Sequence, residues 1–223
     1  MAFDIHKMDR LDVDDADTGR KLQAYQEALL EDFARSPEGQ AYFAAHPDAG
    51  GGYWIGSLSE IGFGYLGTAL PQMTVDDVEE IVTELFPSKI SLFSPDEADE
   101  AVPELLALWE YLKREHRLPQ ADSILTFLRE VEPEFKGMMF DPSKFGMAKS
   151  FVMAGQTAGF DMTDEDQVNT FMTAYNAGLA LSLPGGLPPR PPVSAGRHKV
   201  DRAMKKKRRQ AKAARKRSRP RKK

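Results

Sequence analysis

Apolar residues recur at intervals of three and four along most of the chain, the period of one helix face, and almost nowhere at intervals of two. Leu22, Tyr25, Leu29, Leu30 and Phe33 make the first such stripe. Ser36-Pro37 restarts the chain after it, with serine placed to accept from first-turn amides and proline in the first helical position, where no N–H is needed. The second helix is expected to run to about His46, where Pro47 and the run Gly50, Gly51 and Gly52 interrupt it. Between residues 53 and 69 the spacing of Leu58, Ile61 and Tyr65 favours a helix, while Gly56, Gly62, Gly64 and Gly67 either weaken it or allow close helix approach. Thr74 with Asp77 reads as a capping box. It opens the stripe Val78, Ile81, Val82, Leu85 and Phe86, which Pro87 is expected to end. Lys89 to Phe93 alternates and reads as an extended connector.

Ser94-Pro95 opens the next helical region, and Pro103 restarts or kinks it. Leu105, Leu108, Trp109 and Leu112 form one stripe there, and Ile124, Phe127, Leu128 and Val131 form the next. Asp141-Pro142 caps a segment through Phe145, Ala148 and Val152. Thr163 with Asp166 is expected to start a last helix bearing Val168, Phe171, Met172, Tyr175 and Leu179. The pattern predicts an all-α fold: one multi-helix domain of roughly seven to nine helices over residues 15–181, behind a polar, frayed segment 1–14.

Beyond residue 181 the pattern stops. Residues 182–196, SLPGGLPPRPPVSAG, read as an extended, semi-rigid linker, and residues 197–223 as a basic tail that is disordered when free. The net charge of −4 conceals the division this makes. Residues 190–223 hold 17 Lys and Arg against the single acid Asp201, which leaves 13 Lys and Arg and 33 Asp and Glu in residues 1–189, or +16 against −20. The expected site is the cationic run Lys205, Lys206, Lys207, Arg208, Arg209, Lys212, Arg215, Lys216, Arg217, Arg219 and Arg221. Such a run neutralises phosphates and releases their counterions, giving salt-sensitive contact with little sequence preference. Arginine adds bidentate phosphate contacts. The tail carries no aromatic residue to stack on bases and no scaffold to aim a recognition helix, which favours RNA or the ribosome over sequence-specific DNA readout. It also lacks the apolar face that lying on a membrane requires. In a eukaryotic host Lys205 to Arg209 would also read as a nuclear import signal.

Other chemistry is thin. Cysteine is absent, which excludes disulfides, thiol nucleophiles and thiolate metal sites and suits a reducing compartment. MAFDIHKMDRLDVDD has neither a basic nor an apolar leader region, and no apolar run approaches a membrane span, so a cytoplasmic protein is expected. Asp12, Asp14, Asp15 and Asp17 fail as a calcium loop, because Asp17 falls where glycine is needed and Gln23 where glutamate is needed. They suit the lead-in to a helix N-terminus. His6, His46, His116 and His198 show no metal-ligand spacing, and His116 suits a helix C-terminus as a cation. Glu79/Glu80 and Glu132/Glu134 read as solvated faces, and the crowd of methionines from Met138 to Met172 as core filling before adaptable surface. Pro188 to Pro192 reads as a spacer before a polyproline ligand. No cofactor and no catalytic residue is expected.

The segment LFPSKISLFSPDEADEAVPELLALWEYLKREHRLPQADSILTFL, followed by FDPSKFGMAKSFVMAGQTAGFDMTDEDQVNTFM, resembles uncharacterised helical proteins of cyanobacteria and other free-living bacteria. The resemblance covers residues 85–172 and implies a bacterial cytosolic helical domain; it brings no activity and no site residues. Some bacterial proteins with comparable bodies end in a small Cys-containing metal motif, where this chain has its basic tail. The expectation is therefore a non-enzymatic binding protein whose tail contacts RNA, ribosome or DNA phosphates and whose acidic body meets a protein partner. Two alternatives stand beside it: a helical enzyme assembled from scattered carboxylates and His46, and a regulator whose tail folds onto its own acidic body.

Overall fold

The computed structural model describes residues 3–9, 11, 17–47, 51–92 and 94–176. The Pro-rich linker, the basic tail and every cation assigned to it lie outside the described residues, as does Leu179. Among the described residues the fold is all-α, with no strand, and eight helices exceed a single turn once those that run on through a π turn are joined.

A 3-10 turn, Ile5–Met8, comes first. It corrects the expectation of a frayed N-terminus: Ile5 and Met8 are buried, the Tyr25 hydroxyl donates to the Ile5 carbonyl at 3.1 Å, and the Phe3 ring lies 5.1 Å from that of Tyr25. The few apolar residues of this segment are spaced to reach the core even though their neighbours are charged. Helix α1 (Thr18–Arg35) buries Tyr25, Leu29 and Phe33, the predicted stripe. Each such side chain contributes about 1.5–3 kcal/mol on burial. Ser36 then does what its position implies, accepting from the Gly39 amide at 3.0 Å at the start of α2 (Pro37–Ala45). Gly39 is needed there because a Cβ would run into the Phe33 carbonyl, so glycine lets the two helices turn tightly on each other.

Helix α3 (Tyr53–Ile61) runs on into a π turn, Gly62–Leu66, and stops at Gly67, whose φ of 66° suits glycine. After a 3-10 turn, Leu70–Gln72, α4 (Val75–Glu80) opens with both bonds of the capping box. The Asp77 amide donates to Thr74 Oγ1 at 3.3 Å, and the Thr74 amide donates to Asp77 Oδ2 at 2.9 Å.

Pro87 does not end this helix, contrary to the reading of the sequence. A second π turn, Ile81–Leu85, carries the chain into α5 (Phe86–Lys89), with Pro87 in its first turn. Proline cannot supply the amide that the Thr83 carbonyl would otherwise meet one turn on. The ammonium of Lys144, distant in sequence, fills that place at 3.1 Å and pairs with Glu84 at 3.0 Å. The Gly146 amide adds a bond to the Ser88 carbonyl at 3.0 Å, at an approach too close for a Cβ. A later segment thus supplies the donor that Pro87 lacks.

The short α6 (Asp96–Asp99) leads into α7 (Ala101–His116), which tolerates Pro103 because it falls in the first turn. Helix α7 is the central element, packing on α2 and α3 and, most extensively, on α8 (Ala121–Phe140). A 3-10 turn, Pro142–Lys144, begins with Asp141 accepting from the Ser143 amide, as its Asp-Pro pair suggests. Helix α9 (Met147–Thr157) follows, then α10 (Glu165–Asn176). The start of α10 is one residue off the expected place. Asp164 accepts from the Gln167 amide at 2.9 Å, while Thr163 is turned back onto Asp161.

By their contacts the residues group into two compact units that divide after Lys149. In the first, the core is continuous from Ile5 to Met139 and includes the ring cluster Trp54, Phe86 and Phe135. In the second, Phe151, Phe160 and Tyr175 surround the buried Phe171, with ring centroids 4.9–5.6 Å away. The methionines divide between core and surface: Met139 is fully buried, while Met147 and Met172 are 89% and 43% exposed.

Candidate functional site

Three polar groupings stand out in the first unit, each placed by a helix that carries it into apolar surroundings. The first is Glu104. It sits on the buried stripe of α7 between Ala101 and Leu108 and has no exposed surface. Its carboxylate faces the start of α3, where Gly52 provides no side chain to cap the helix. Oε1 accepts the Ile55 amide at 2.7 Å, the Trp54 amide also bonds to the carboxylate, and the Tyr42 hydroxyl approaches Oε2 at 3.4 Å. Glu104 thus caps from another helix the orphan amides that every helix start leaves. Burial pushes its carboxyl up to about 7 despite these bonds, with Glu100 adding to the rise. The Tyr42 hydroxyl is pushed up in turn, by burial first and by Glu104 next.

The second is a relay that joins α1 to the end of α7. The Tyr111 hydroxyl donates to Asp32 Oδ2 at 2.6 Å, and His116 Nε2 lies 3.3 Å from the hydroxyl oxygen. With its proton directed to Asp32, Tyr111 accepts from His116, which requires the imidazole proton on Nε2. The bond from Tyr111 is the main reason that Asp32 is held below the usual carboxylate range. Burial lowers His116, against the pull of Glu115 and Asp32. His116 is thus driven toward the neutral form, which corrects its reading as a cation serving the helix dipole. The ring also packs edge-on against Phe3, at 6.0 Å.

Beside this relay lies an open cleft of about 280 Å³ lined by Asp32, Arg35, Ser36, Pro37, Tyr111, Arg114 and Glu115. Its two arginines are already engaged. Arg35 pairs with Glu31 at 2.6 Å and Asp32 at 3.2 Å, and Arg114 with Glu38 at 2.7 Å and Glu115 at 2.8 Å. A cleft whose cations are so paired offers an anion no uncompensated charge. Burial and Asp32 hold the Tyr111 hydroxyl in its protonated form, so it serves as a hydrogen-bond donor rather than a nucleophile.

The third is Lys149, 2% exposed on the first turns of α9. Its ammonium donates to the Met139 carbonyl near the end of α8 at 2.6 Å and stands 4.5 Å from the centre of the Phe145 ring. Burial draws it down to about 8.

Compared with family models, with curated proteins and with solved structures, the chain matches none.

The residues assigned to phosphate contact, Lys205 to Arg221, lie outside the described residues. Of the histidines, His6 pairs with Asp9 at 2.9 Å and His46 stacks on Tyr42 at 4.6 Å. No group of three or more His, Asp or Glu residues that could hold a metal ion occurs among the described residues. No helix there is long and apolar enough to cross a membrane. Glu79, Glu132 and Glu134 are exposed, as a solvated face requires.

Glu104 and Lys149 were missed in the sequence, yet each carries a signal. Glu104 lies four residues before Leu108 on an otherwise apolar stripe, and Lys149 lies four after Phe145 and three before Val152. A charged residue in register with a core stripe marks a buried charge that needs partners.

Proposed function

We propose that this is a non-enzymatic, cytoplasmic binding protein whose basic tail contacts the phosphates of RNA, free or in the ribosome. The observation that carries the reading is the charge division, +16 in residues 190–223 against −20 in residues 1–189. A cation run of that density binds a polyanion chiefly through counterion release. The acidic body, read as a bacterial helical domain, serves as the protein-facing module and repels nucleic acid that the tail does not hold. The body offers little to an enzyme reading: its open cleft is lined by paired charges, and its buried Glu104 and Lys149 are enclosed and committed to backbone partners.

The test is a salt titration of binding to single-stranded RNA and to duplex DNA, with the full chain and with a chain ending at residue 189. The full chain should bind, its log affinity falling linearly and steeply with log salt concentration, and the shortened chain should not. Equal affinity of the two for RNA would sink the proposal.

A further inference from the structure

Helix α3 begins without a cap of its own. The residue before it is Gly52, which has no side chain to offer, and its amides from the first turn are answered by the carboxylate of Glu104, from a helix far along the sequence. The approach to α3 also depends on glycine. Gly51 and Gly52 both take positive φ, 63° and 99°, which glycine alone adopts freely. Gly52 is pressed so near Leu30 that a Cβ would collide with that side chain. A cap that reaches over from another helix, set beside two glycines in the left-handed region, is the geometry of a latch.

We propose that Glu104 is a proton-operated latch: with its carboxyl protonated it holds the first turn of α3 against α7, and on losing the proton it releases that turn to solvent. The groups around it make an enclosed anion costly. Helix α2 contributes the Tyr42 hydroxyl and the His46 ring stacked on Tyr42. Helix α3 contributes only backbone amides, and α6 presents Glu97, whose carbonyl takes the Trp54 indole N–H at 3.2 Å. Glu100, the residue just before α7, adds its carboxylate, which adds to the cost of a charge at Glu104. A protonated carboxyl keeps its carbonyl oxygen for the Ile55 amide, so the cap survives protonation while the buried charge disappears. Ionisation is relieved by opening that turn and admitting water.

The sign follows from the carboxyl standing near 7 in the closed state and near its ordinary 4.5 once the turn is open. Closure takes up a proton, so it is favoured at low pH and weakens as pH rises through 7. With those two values the opening equilibrium of the first turn rises about tenfold between about pH 6 and pH 8.

The experiment is hydrogen exchange of the Trp54 and Ile55 amides in the full chain, read as protection factors so that the base-catalysed rise in intrinsic exchange is removed. In the wild type the protection should fall about tenfold from about pH 6 to pH 8. Glu104→Gln keeps an acceptor for the Ile55 amide but cannot ionise, and its protection should be flat over the same range. His46→Gln, the control for the ring stacked on Tyr42, should keep the wild-type fall. A wild type with constant protection overturns the latch, and that measurement stands even if Glu104→Gln fails to fold. So does a Glu104→Gln protein whose protection falls like the wild type, or a His46→Gln protein whose protection no longer falls.

Discussion

Replacing Lys149 by methionine keeps most of the side chain's length and removes a full positive charge from the packed surroundings of α9. In the wild type that charge has one carbonyl, Met139 at 2.6 Å, and one ring face, Phe145, as its partners. Burial draws the ammonium from an ordinary 10.5 to about 8. Because the folded value is depressed, the folded protein binds fewer protons than the unfolded one between these values, and stability rises with pH across the window. That fall corresponds to about 3 kcal/mol of penalty at neutral pH, all of it removed once the unfolded lysine also loses its proton. Between about pH 7.5 and pH 9.5 the wild type should gain about 2 kcal/mol relative to Lys149→Met. The methionine leaves the Met139 carbonyl without its donor, which costs about 1–3 kcal/mol. That cost does not vary with pH, so the difference in slope isolates the charge. The assay is urea unfolding followed by helical circular dichroism at a series of pH values, compared at equal ionic strength. Tyrosines that burial has raised, such as Tyr25 and Tyr42, affect both proteins alike and cancel. Parallel curves for the two proteins across the window would refute the reasoning, since Lys149 would then be solvated in the folded state.

Two further predictions concern how helices are held where their own residues fail them. Thr74→Ala removes the hydroxyl that accepts the Asp77 amide and should cost about 1 kcal/mol, with Thr74→Ser retaining most of it, as thermal or urea unfolding would show. Lys144→Met should cost about 1 kcal/mol by leaving the Thr83 carbonyl without a donor, and less than half of that in a Pro87→Ala background, where the substituted residue restores an amide one turn on. Equal costs in the two backgrounds would show that Lys144 does not stand in for the proline's missing donor.

What could be read in the chain itself was whatever depends on neighbours a turn or less away. Tyr25, Leu29 and Phe33 could be assigned to one buried face because helix geometry alone puts them there. Ser36 and the Thr74/Asp77 pair could be placed as caps because each bond spans only three residues. The charge division, on which the proposed function rests, is likewise a property of composition and needs no fold.

Apart from the start of α10, shifted by one residue where Thr163 turns back onto Asp161, the failures are long-range. Pro87 looked like a terminus because its missing amide is a local fact, while Lys144, which answers it, is brought near only by the packing of a later segment. The N-terminal turn looked frayed because Ile5 and Met8 are scattered among charges, and only the surface of α1 and its Tyr25 hydroxyl gives them somewhere to go. His116 read as a cation at a helix end until burial beside Tyr111 and Phe3 reversed that preference. Sequence determined which segments are helical and which face of each is apolar, since those follow from local periodicity. Tertiary structure alone decided that the carboxylate of Glu104 meets the uncapped start of α3 and that the ammonium of Lys149 meets the end of α8. The ionisation of both groups depends on how much water the surrounding helices exclude, a quantity that no stretch of sequence contains.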